Sequence, residues 1–596
     1  MYTYTDFDRN FVRARAAQYR DQLERHLRGE LPDDEFRPLR LQNGWYVQRH
    51  APMLRVAIPY GVLAARQLRQ LARIAREFDL QDAGTPAQRG GFGHFTTRQN
   101  LQFNWIPLAR SADVMDLLAD VDMHGIQTSG NCIRNITTDA LAGIAPDEIA
   151  DPRPWCEVLR QWSTLHPEFA FLPRKFKIAV SGAREDRAAI GWHDIGLQLC
   201  RDDTGALGFT VYAGGGMGRT PVIATRVSEF VPALDILLFL EAILRVYNRY
   251  GRRDNLYKAR IKILVRSEGE RFVQAVQQEY AAIRAQGGGF IARPIDPAEV
   301  ARIAACFAAP ATDVAAGRSD AGPDTARGAP LDGSTSPHAA AATRPLAFQR
   351  WLARNVQPHR EPGLRAVTLS LKRPGQPPGD LDADQMEACA ELAERFSAGE
   401  LRVTHDQNLL LPGVRERDLA ALWHGASELG LARPNIGLLT DMIACPGGDL
   451  CALANARSLP IAAALAERFD DLDTQHDIGD IDLHLSGCIN SCGHHHSGHL
   501  GILGVDKDGS EWYQLTLGGS DGSTASGPAR PGQVIGPAFA ADEVVDAVEA
   551  VIDTYRRERL HGERFVDAVR RLGSAPFRAA ADAIRQATAR PLTASA

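Results

Sequence analysis

The chain contains the stretch Cys445-Pro-Gly-Gly-Asp-Leu-Cys451, followed further along by Cys488-Ile-Asn-Ser-Cys492. These four cysteines lie close together in sequence, whereas the other five of the nine are scattered. Four thiolates from two loops can enclose either a zinc ion or an iron–sulfur cluster. Paired cysteines of structural zinc sites are mostly separated by roughly two to four residues, so a five-residue gap favours the cluster. From spacing alone, an iron–sulfur cluster, a zinc ion and thiols without a ligand all stay open.

The sequence around these cysteines repeats a pattern found earlier in the chain. Thr404-His-Asp-Gln-Asn-Leu409 matches Thr96-Thr-Arg-Gln-Asn-Leu101, and Leu485-Ser-Gly487 matches Val180-Ser-Gly182. Three more pairs follow the same order: residues 125–128 with 437–440, 194–196 with 499–501, and 212–218 with 517–522. Each match is weak alone, but their shared order indicates an internal duplication.

Strand-like and helix-like segments are mixed within each half. Alternating apolar residues predict strands at 54–58, 102–106, 176–180 and 209–212, and apolar residues at helical spacing predict helices at 64–77, 234–247 and 541–557. The mixture indicates α+β domains related by a pseudo-twofold axis. Residues 308–346 are rich in Ala, Gly, Pro, Ser and Asp, which predicts a flexible linker between the halves.

Composition narrows the class of protein. A chain of 596 residues is too long for one core and predicts about two to four domains. A net charge of −6 argues against nucleic acid as a partner. No stretch is apolar enough to predict a membrane span, and the first residues lack the pattern of a signal peptide, so a cytoplasmic location is expected.

Two lysines in the first half suggest an anion site. In the predicted strand, Lys175 and Lys177 point to one face while Phe176, Ile178 and Val180 point to the other. An anion between the two ammonium groups would relieve their repulsion. Residues alone leave a second reading open, in which the lysines form an ordinary solvated face above a buried one.

With this cysteine spacing, the sequence resembles the siroheme-containing sulfite and nitrite reductase family. The family motif is C-x5-C followed by C-x3-C with an Asn in the last spacer, here Asn490. The resemblance covers roughly residues 45–300 and 350–580. It implies that Cys445, Cys451, Cys488 and Cys492 hold a 4Fe–4S cluster, and that Cys492 also supplies the axial thiolate to the siroheme iron.

The resemblance also implies the roles of polar residues. Arg55, Arg134, Lys175 and Lys177 match the family's substrate-binding positions, and the Thr-x-Arg-Gln-x-x-Gln segment matches its siroheme-carboxylate segment. The family often has Arg where His94 stands, and a protonated His94 would serve there. The expected siroheme contacts are His94, Thr96, Arg98, Gln99, Gln102, Asn135, Arg174, Arg219, Gln407 and Asn490.

The family fold implies ferredoxin-like half-domains and two larger mixed α/β siroheme-binding domains. The expected boundaries are an N-terminal extension at 1–44, half-domains at 45–115 and 347–425, siroheme domains at 116–307 and 426–580, the linker at 308–346 and a tail at 581–596. The second siroheme domain also carries the cluster.

The expected activity is the six-electron reduction of sulfite to sulfide in assimilatory sulfur metabolism. No flavin or nicotinamide motif is present, so electrons are expected from a flavoprotein reductase or a ferredoxin. The nearest alternative is assimilatory reduction of nitrite to ammonia; ferredoxin-linked nitrite reductases typically have Asn where Lys177 stands, which favours sulfite. The remote alternative is a non-catalytic zinc- or cluster-binding scaffold.

Overall fold

The computed structural model describes residues 1–48, 52–80, 90–169, 171–289, 292–307 and 345–588. The predicted linker therefore lies outside the described residues, apart from its last two, and Leu346 already begins a helix. The helices are α1 Asp6–Leu27, α2 Asp33–Gln42, α3 Ala65–Phe78, α4 Ser111–Ala119, α5 Arg153–Ser163, α6 Ile236–Tyr250, α7 Ile261–Glu268, α8 Glu270–Ala285, α9 Pro297–Ala305, α10 Leu346–Asn355, α11 Ala383–Phe396, α12 Leu419–Glu428, α13 Leu459–Arg468, α14 Leu472–Ile478, α15 Val544–Glu558, α16 Phe565–Leu572 and α17 Ala575–Thr588. The strands are β1 Trp45–Val47, β2 Pro52–Val56, β3 Val62–Ala64, β4 Phe92–Phe95, β5 Leu101–Phe103, β6 Thr137–Thr138, β7 Ile178–Ser181, β8 Ile195–Arg201, β9 Leu207–Ala213, β10 Thr225–Pro232, β11 Val356–Pro358, β12 Leu364–Leu369, β13 Asp380–Asp382, β14 Glu400–Val403, β15 Leu409–Arg415, β16 Ile443–Ala444, β17 Leu483–Ser486, β18 Leu500–Lys507, β19 Ser510–Leu517, β20 Gln533–Val534 and β21 Phe539–Ala540.

Two of the sheets exchange a strand. Their orders are β1-β2-β5-β4-β13 and β11-β12-β15-β14-β3, so each takes its fifth strand from the other half of the chain. Both exchanged strands pair antiparallel, with Asp380 opposite His94 and Glu400 opposite Ala64. The helices α3 and α11 pack together, and one hydrophobic core runs through both sheets. The exchange joins the halves into one body.

The two larger sheets repeat one topology. Their orders are β10-β9-β8-β7-β6 and β16-β17-β18-β19-β20, with β21 also paired to β19. In each, the first three strands of the duplicated unit run parallel and the next pairs antiparallel. Each sheet packs its own apolar core against helices, with α6 buried in the first and α15 in the second. The predicted duplication and α+β fold are therefore confirmed.

Two buried glutamines show how far the duplication extends. Gln99 and Gln407 occupy equivalent positions, and both have a left-handed backbone, with φ of 55° and 59°. The Gln99 amide donates to the carbonyls of Thr138 and Val403. Equivalent bonds run from the Gln407 amide to backbone carbonyls on β4 and β16. Each glutamine thus joins a ferredoxin-like sheet to a larger one.

Predicted elements lie within a few residues of the observed ones, with one informative difference. The strand expected at 176–180 begins at Ile178, because the preceding residues pair irregularly. Phe176 forms an isolated bridge with Ile133, and the amide of Lys177 donates to the Asp194 carboxylate at 2.9 Å. Within the described ranges, no helix combines the length and apolarity needed to cross a membrane.

Candidate functional site

A cavity of about 120 Å³ lies where the two halves meet. Its lining includes five cationic side chains and, among the described residues, no carboxylate. Of the predicted site residues, the lining contains Arg55, His94, Thr96, Arg98, Gln102, Arg134, Asn135, Lys175, Lys177, Gln407, Cys445, Asn490 and Cys492. The first half supplies the cations and the second supplies the thiols, so the site depends on both halves.

A loop of the first half holds two arginines at the cavity. The guanidinium of Arg134 donates to the carbonyls of Thr128 and Gly130, at 2.7 Å and 2.8–3.0 Å. Arg55 donates to the same Thr128 carbonyl at 3.2 Å and to the Gln102 side chain at 3.1 Å. The Arg55 Nε is buried without a hydrogen-bond partner among the described residues. Both arginines are thus fixed in place and retain donor capacity for an anion.

The two lysines line the cavity while Phe176 between them is fully buried. This is the predicted alternation, and it persists although the strand begins later. Burial lowers the pKa of Lys175 to about 8, with Cys492 opposing the shift and Arg134 adding to it. Burial also holds the pKa of Lys177 well below its usual value, reinforced by Arg98 and Lys175. A bound anion would favour the charged form of both amines, so anion binding and proton uptake are linked here.

The Arg98 side chain is held by residues in and beside the first of the two larger sheets. Its guanidinium donates to the Asn135 carbonyl at 2.7 Å, to the Thr137 hydroxyl at 3.1 Å and to the ring of His193. Burial lowers the pKa of Arg98 to about 9, because the charged guanidinium is removed from water. A ligand carboxylate next to it would offset this desolvation. Asn135 uses its amide to reach Ile58 and Asn100, so its freedom to contact a ligand is reduced.

His94 stands where the family often has Arg, and it has a partner from the other half. Its Nδ1 lies 2.7 Å from the carboxylate of Asp380 on the exchanged strand β13, and its Nε2 lies 3.1 Å from the amide of Gln407. Only 3 % of His94 is exposed. Asp380 and Gln407 thus occupy both ring nitrogens of His94, so a residue of the first half is held here by two residues of the second.

Three of the predicted siroheme contacts do not line the cavity. The Gln99 side-chain amide donates to two backbone carbonyls. Arg174 is half-buried and Arg219 is exposed, and neither belongs to the lining. Conversely, sequence reasoning missed several residues that do line it, among them Thr97, Gln127, Thr128 and Ser491. The hydroxyl of Thr97 donates to the Cys492 carbonyl at 3.0 Å. The position of Thr97 next to Thr96 in the matched segment was the only sequence feature that could have indicated its place at the cavity.

The four cysteines gather at one side of the cavity. Cys445 and Cys492 line it, whereas Cys488 is buried and Cys451 is half-buried. Burial raises the pKa of Cys445 to about 12, and the neighbouring Cys492 adds to the shift. Burial also raises the pKa of Cys451 and Cys488, with a smaller contribution from Cys492, so Cys492 lies within electrostatic reach of the other three thiols.

These thiols fit a group that supplies positive charge. Buried thiolates need a compensating positive charge, which the iron of a cluster would supply. The amide of Gly487 donates to the Cys445 sulfur at 3.3 Å, as second-sphere donors do around metal-bound sulfur.

Fold and site together define a duplicated α+β protein with a cationic cavity and clustered thiols where its halves meet. The family model "Nitrite and sulphite reductase 4Fe-4S domain" matches residues 129–284 and 438–586, and the model "Nitrite/Sulfite reductase ferredoxin-like half domain" matches 46–121 and 363–429. The chain therefore belongs to the nitrite and sulfite reductase family, whose cofactors are siroheme and a 4Fe–4S cluster.

Relatives of both kinds match at similar identity. "Sulfite reductase [ferredoxin] 1" of Mycolicibacterium paratuberculosis is 27 % identical over 86 % of this chain and 81 % of that protein. "Ferredoxin--nitrite reductase" of Synechococcus elongatus is 28 % identical over 79 % of this chain and 81 % of that protein. The solved structure of the Mycobacterium tuberculosis NirA protein has a TM-score of 0.71 at 23 % identity and covers 93 % of this chain and 95 % of that one. This last likeness concerns the fold.

Proposed function

We propose that this protein reduces sulfite to sulfide, taking six electrons per turnover. The observation that supports this most directly is the cavity that holds Arg55, Arg134, Lys175 and Lys177 with no carboxylate among its described lining residues. At neutral pH sulfite is present both as hydrogen sulfite and as the dianion. The dianion carries twice the charge of nitrite, so a site with four cationic side chains attracts it more strongly than it attracts nitrite.

The chain's own residues would bind the anion and move protons. Arg55 and Arg134, fixed by backbone carbonyls, orient the anion's oxygens. Lys175 and Lys177, with pKa values lowered by burial, can release protons to those oxygens, which makes each a better leaving group as water.

Other residues at the cavity would hold the two cofactors. Cys445, Cys451, Cys488 and Cys492 would hold the cluster, with Cys492 shared between cluster and siroheme. His94, Thr96, Arg98, Gln102, Gln407 and Asn490 would contact the siroheme carboxylates. When bound, the two cofactors supply the electrons and the iron at which the anion is reduced.

We further propose ferredoxin as the electron donor. The relatives named above are ferredoxin-linked enzymes. A flavoprotein reductase is the alternative donor, and turnover with each reduced protein compares them directly.

Steady-state turnover of sulfite and nitrite, with reduced viologen as electron source, tests the proposal. We expect a higher kcat/KM for sulfite. A higher kcat/KM for nitrite would instead make nitrite reduction to ammonia the function. The Synechococcus elongatus relative is named as a nitrite reductase. Absence of heme absorbance in the purified protein would instead favour the scaffold.

A further inference from the structure

A second cavity, of about 350 Å³, lies next to the first. Lys177 and His494 belong to the lining of both. The second cavity occupies the position that the duplication assigns to a counterpart of the first. Thr404 lines it as Thr96 lines the first, and Asn408 does so as Asn100 does.

The charges of the site are reversed in this counterpart. Asp406 follows Thr404 by two residues, as Arg98 follows Thr96. Asp482 immediately precedes β17, as Lys177 precedes the equivalent strand β7. Both aspartates line the second cavity, together with Asp139 and Asp521. The lining also contains Lys177, Arg187 and four histidines, so this cavity brings acidic and basic groups into one space with a lysine of the proposed anion site.

Asp406 has an unusual environment within this cavity. Its carboxylate receives no hydrogen bond from the described residues, and the charged groups that face it are Asp441, Asp482, Asp521 and Lys372. The side chain of Asp406 is exposed to the cavity. Desolvation by the surrounding protein and the three aspartates raise the pKa of Asp406 to about 7, and Lys372 opposes the shift. Asp406 can therefore take up and release a proton near neutral pH.

The proposed reaction has a large proton demand. Sulfite, six electrons and seven protons give hydrosulfide and three waters. The arginines of the site stay protonated, so the lysines must be reprotonated within each turnover. The described lining of the first cavity contains no carboxyl group that could do this.

We propose that the second cavity supplies protons to Lys177, with Asp406 as the group that passes them on from solvent. The inference rests on the proposed function, because it assumes reduction of an oxyanion at the first cavity. Lys177 releases a proton to an anion oxygen and becomes a neutral amine. Asp406 gives its proton through water in the cavity, which is polar and roomy enough to hold water. Solvent then reprotonates Asp406, and the electrons come from the one-electron donor protein.

Replacing Asp406 by Asn tests the route, because Asn fills the same space without a titrating proton. We expect D406N to retain its iron, acid-labile sulfide and siroheme but to lose about tenfold in kcat, with KM little changed. In the parent, kcat should fall as the pH rises through about 7, where Asp406 loses its proton. In D406N that decline should disappear, the solvent deuterium isotope effect should increase, and added imidazole should restore part of the rate.

Asp79→Asn is the matched control. Like Asp406, Asp79 has its pKa raised to about 7 by desolvation, but it is fully buried and lies outside the lining of both cavities. D79N should keep the parent's pH profile. If D406N purifies with less siroheme, rates are expressed per siroheme and Asp482→Asn is measured in the same way.

The outcomes separate this inference from the proposed function. A parent enzyme that reduces neither sulfite nor nitrite contradicts the function itself. A parent that reduces either anion, with D406N and D482N showing the parent's kcat, pH profile and isotope effect, overturns the proton route alone.

Discussion

Lys177 is the residue on which the choice of substrate depends most. Lys177→Asn removes one ammonium group from the cavity. The sulfite dianion carries more negative charge than nitrite, so sulfite turnover should fall more than nitrite turnover. The expected loss for sulfite is about 2–4 kcal/mol of binding or transition-state stabilisation. Comparing kcat/KM for the two anions measures it, and Lys258→Asn, at an exposed position outside the cavity, is the control. Equal losses for both anions would remove Lys177 as the basis of discrimination.

Cys492 is the residue that would connect the two cofactors. Its sulfur belongs to the cavity lining and is within electrostatic reach of the other three thiols and of Lys175. Cys492→Ser should therefore lower iron, acid-labile sulfide and siroheme together, because serine is a poorer ligand for iron. Counting the three in the purified variant tests this, with the buried, distant Cys389→Ser as control. A full cluster with an unshifted heme spectrum in C492S would rule out the shared thiolate.

At the residue scale, the sequence together with the family resemblance predicted most of the cavity lining. What it could not predict are partners brought in by distant pairing. Asp380, which lies beside His94, belongs to the other half of the chain and to no recognisable motif. The acidic counterparts Asp406 and Asp482 were visible in the repeat, but only the shared cavity gives them a possible role.

At the scale of elements, the long amphipathic helices were predictable and the short strands were not. The helices α3, α6 and α15 lie within three residues of their predicted bounds because their apolar residues recur at helical spacing. Strands β3 and β13 have three residues each and no informative alternation. Their exchange between sheets depends on pairing between residues far apart in sequence, which periodicity does not encode.

The paired glutamines allow a prediction about one of these elements. Gln407→Ala leaves the backbone groups of Ala444, which directly precedes Cys445, without partners. Each buried group left unpaired costs about 1–3 kcal/mol of unfolding free energy, so β16 and the adjacent cluster loop should loosen. The equivalent Gln99→Ala should cost similar stability but keep its iron, since Gln99 bonds to Thr138 and Val403 rather than to the cluster loop. Denaturant unfolding and iron content of both variants provide the comparison; equal iron loss would contradict the assignment.

At the scale of the whole molecule, the strand exchange makes the two halves mutually dependent. Each ferredoxin-like sheet lacks its fifth strand without the other half, and the hydrophobic core of these sheets includes residues of both. The site has the same dependence, since the cations and the thiols come from different halves. A duplicated chain with this architecture has no half that could bind the anion and the cluster alone.

The chain should therefore tolerate a cut where the halves are joined but not their separation. We expect fragments 1–320 and 321–596, produced together, to co-purify with siroheme, cluster and anion turnover close to those of the intact chain. The break falls in the segment predicted from composition to be a flexible linker, which contributes few packed contacts if that prediction is correct. Each fragment produced alone should be aggregated or unfolded, because it exposes unpaired sheet edges and half of a shared core. Size-exclusion chromatography with cofactor spectra measures the outcome. A fragment that folds alone and holds the full cluster would contradict the mutual dependence inferred from the exchanged strands.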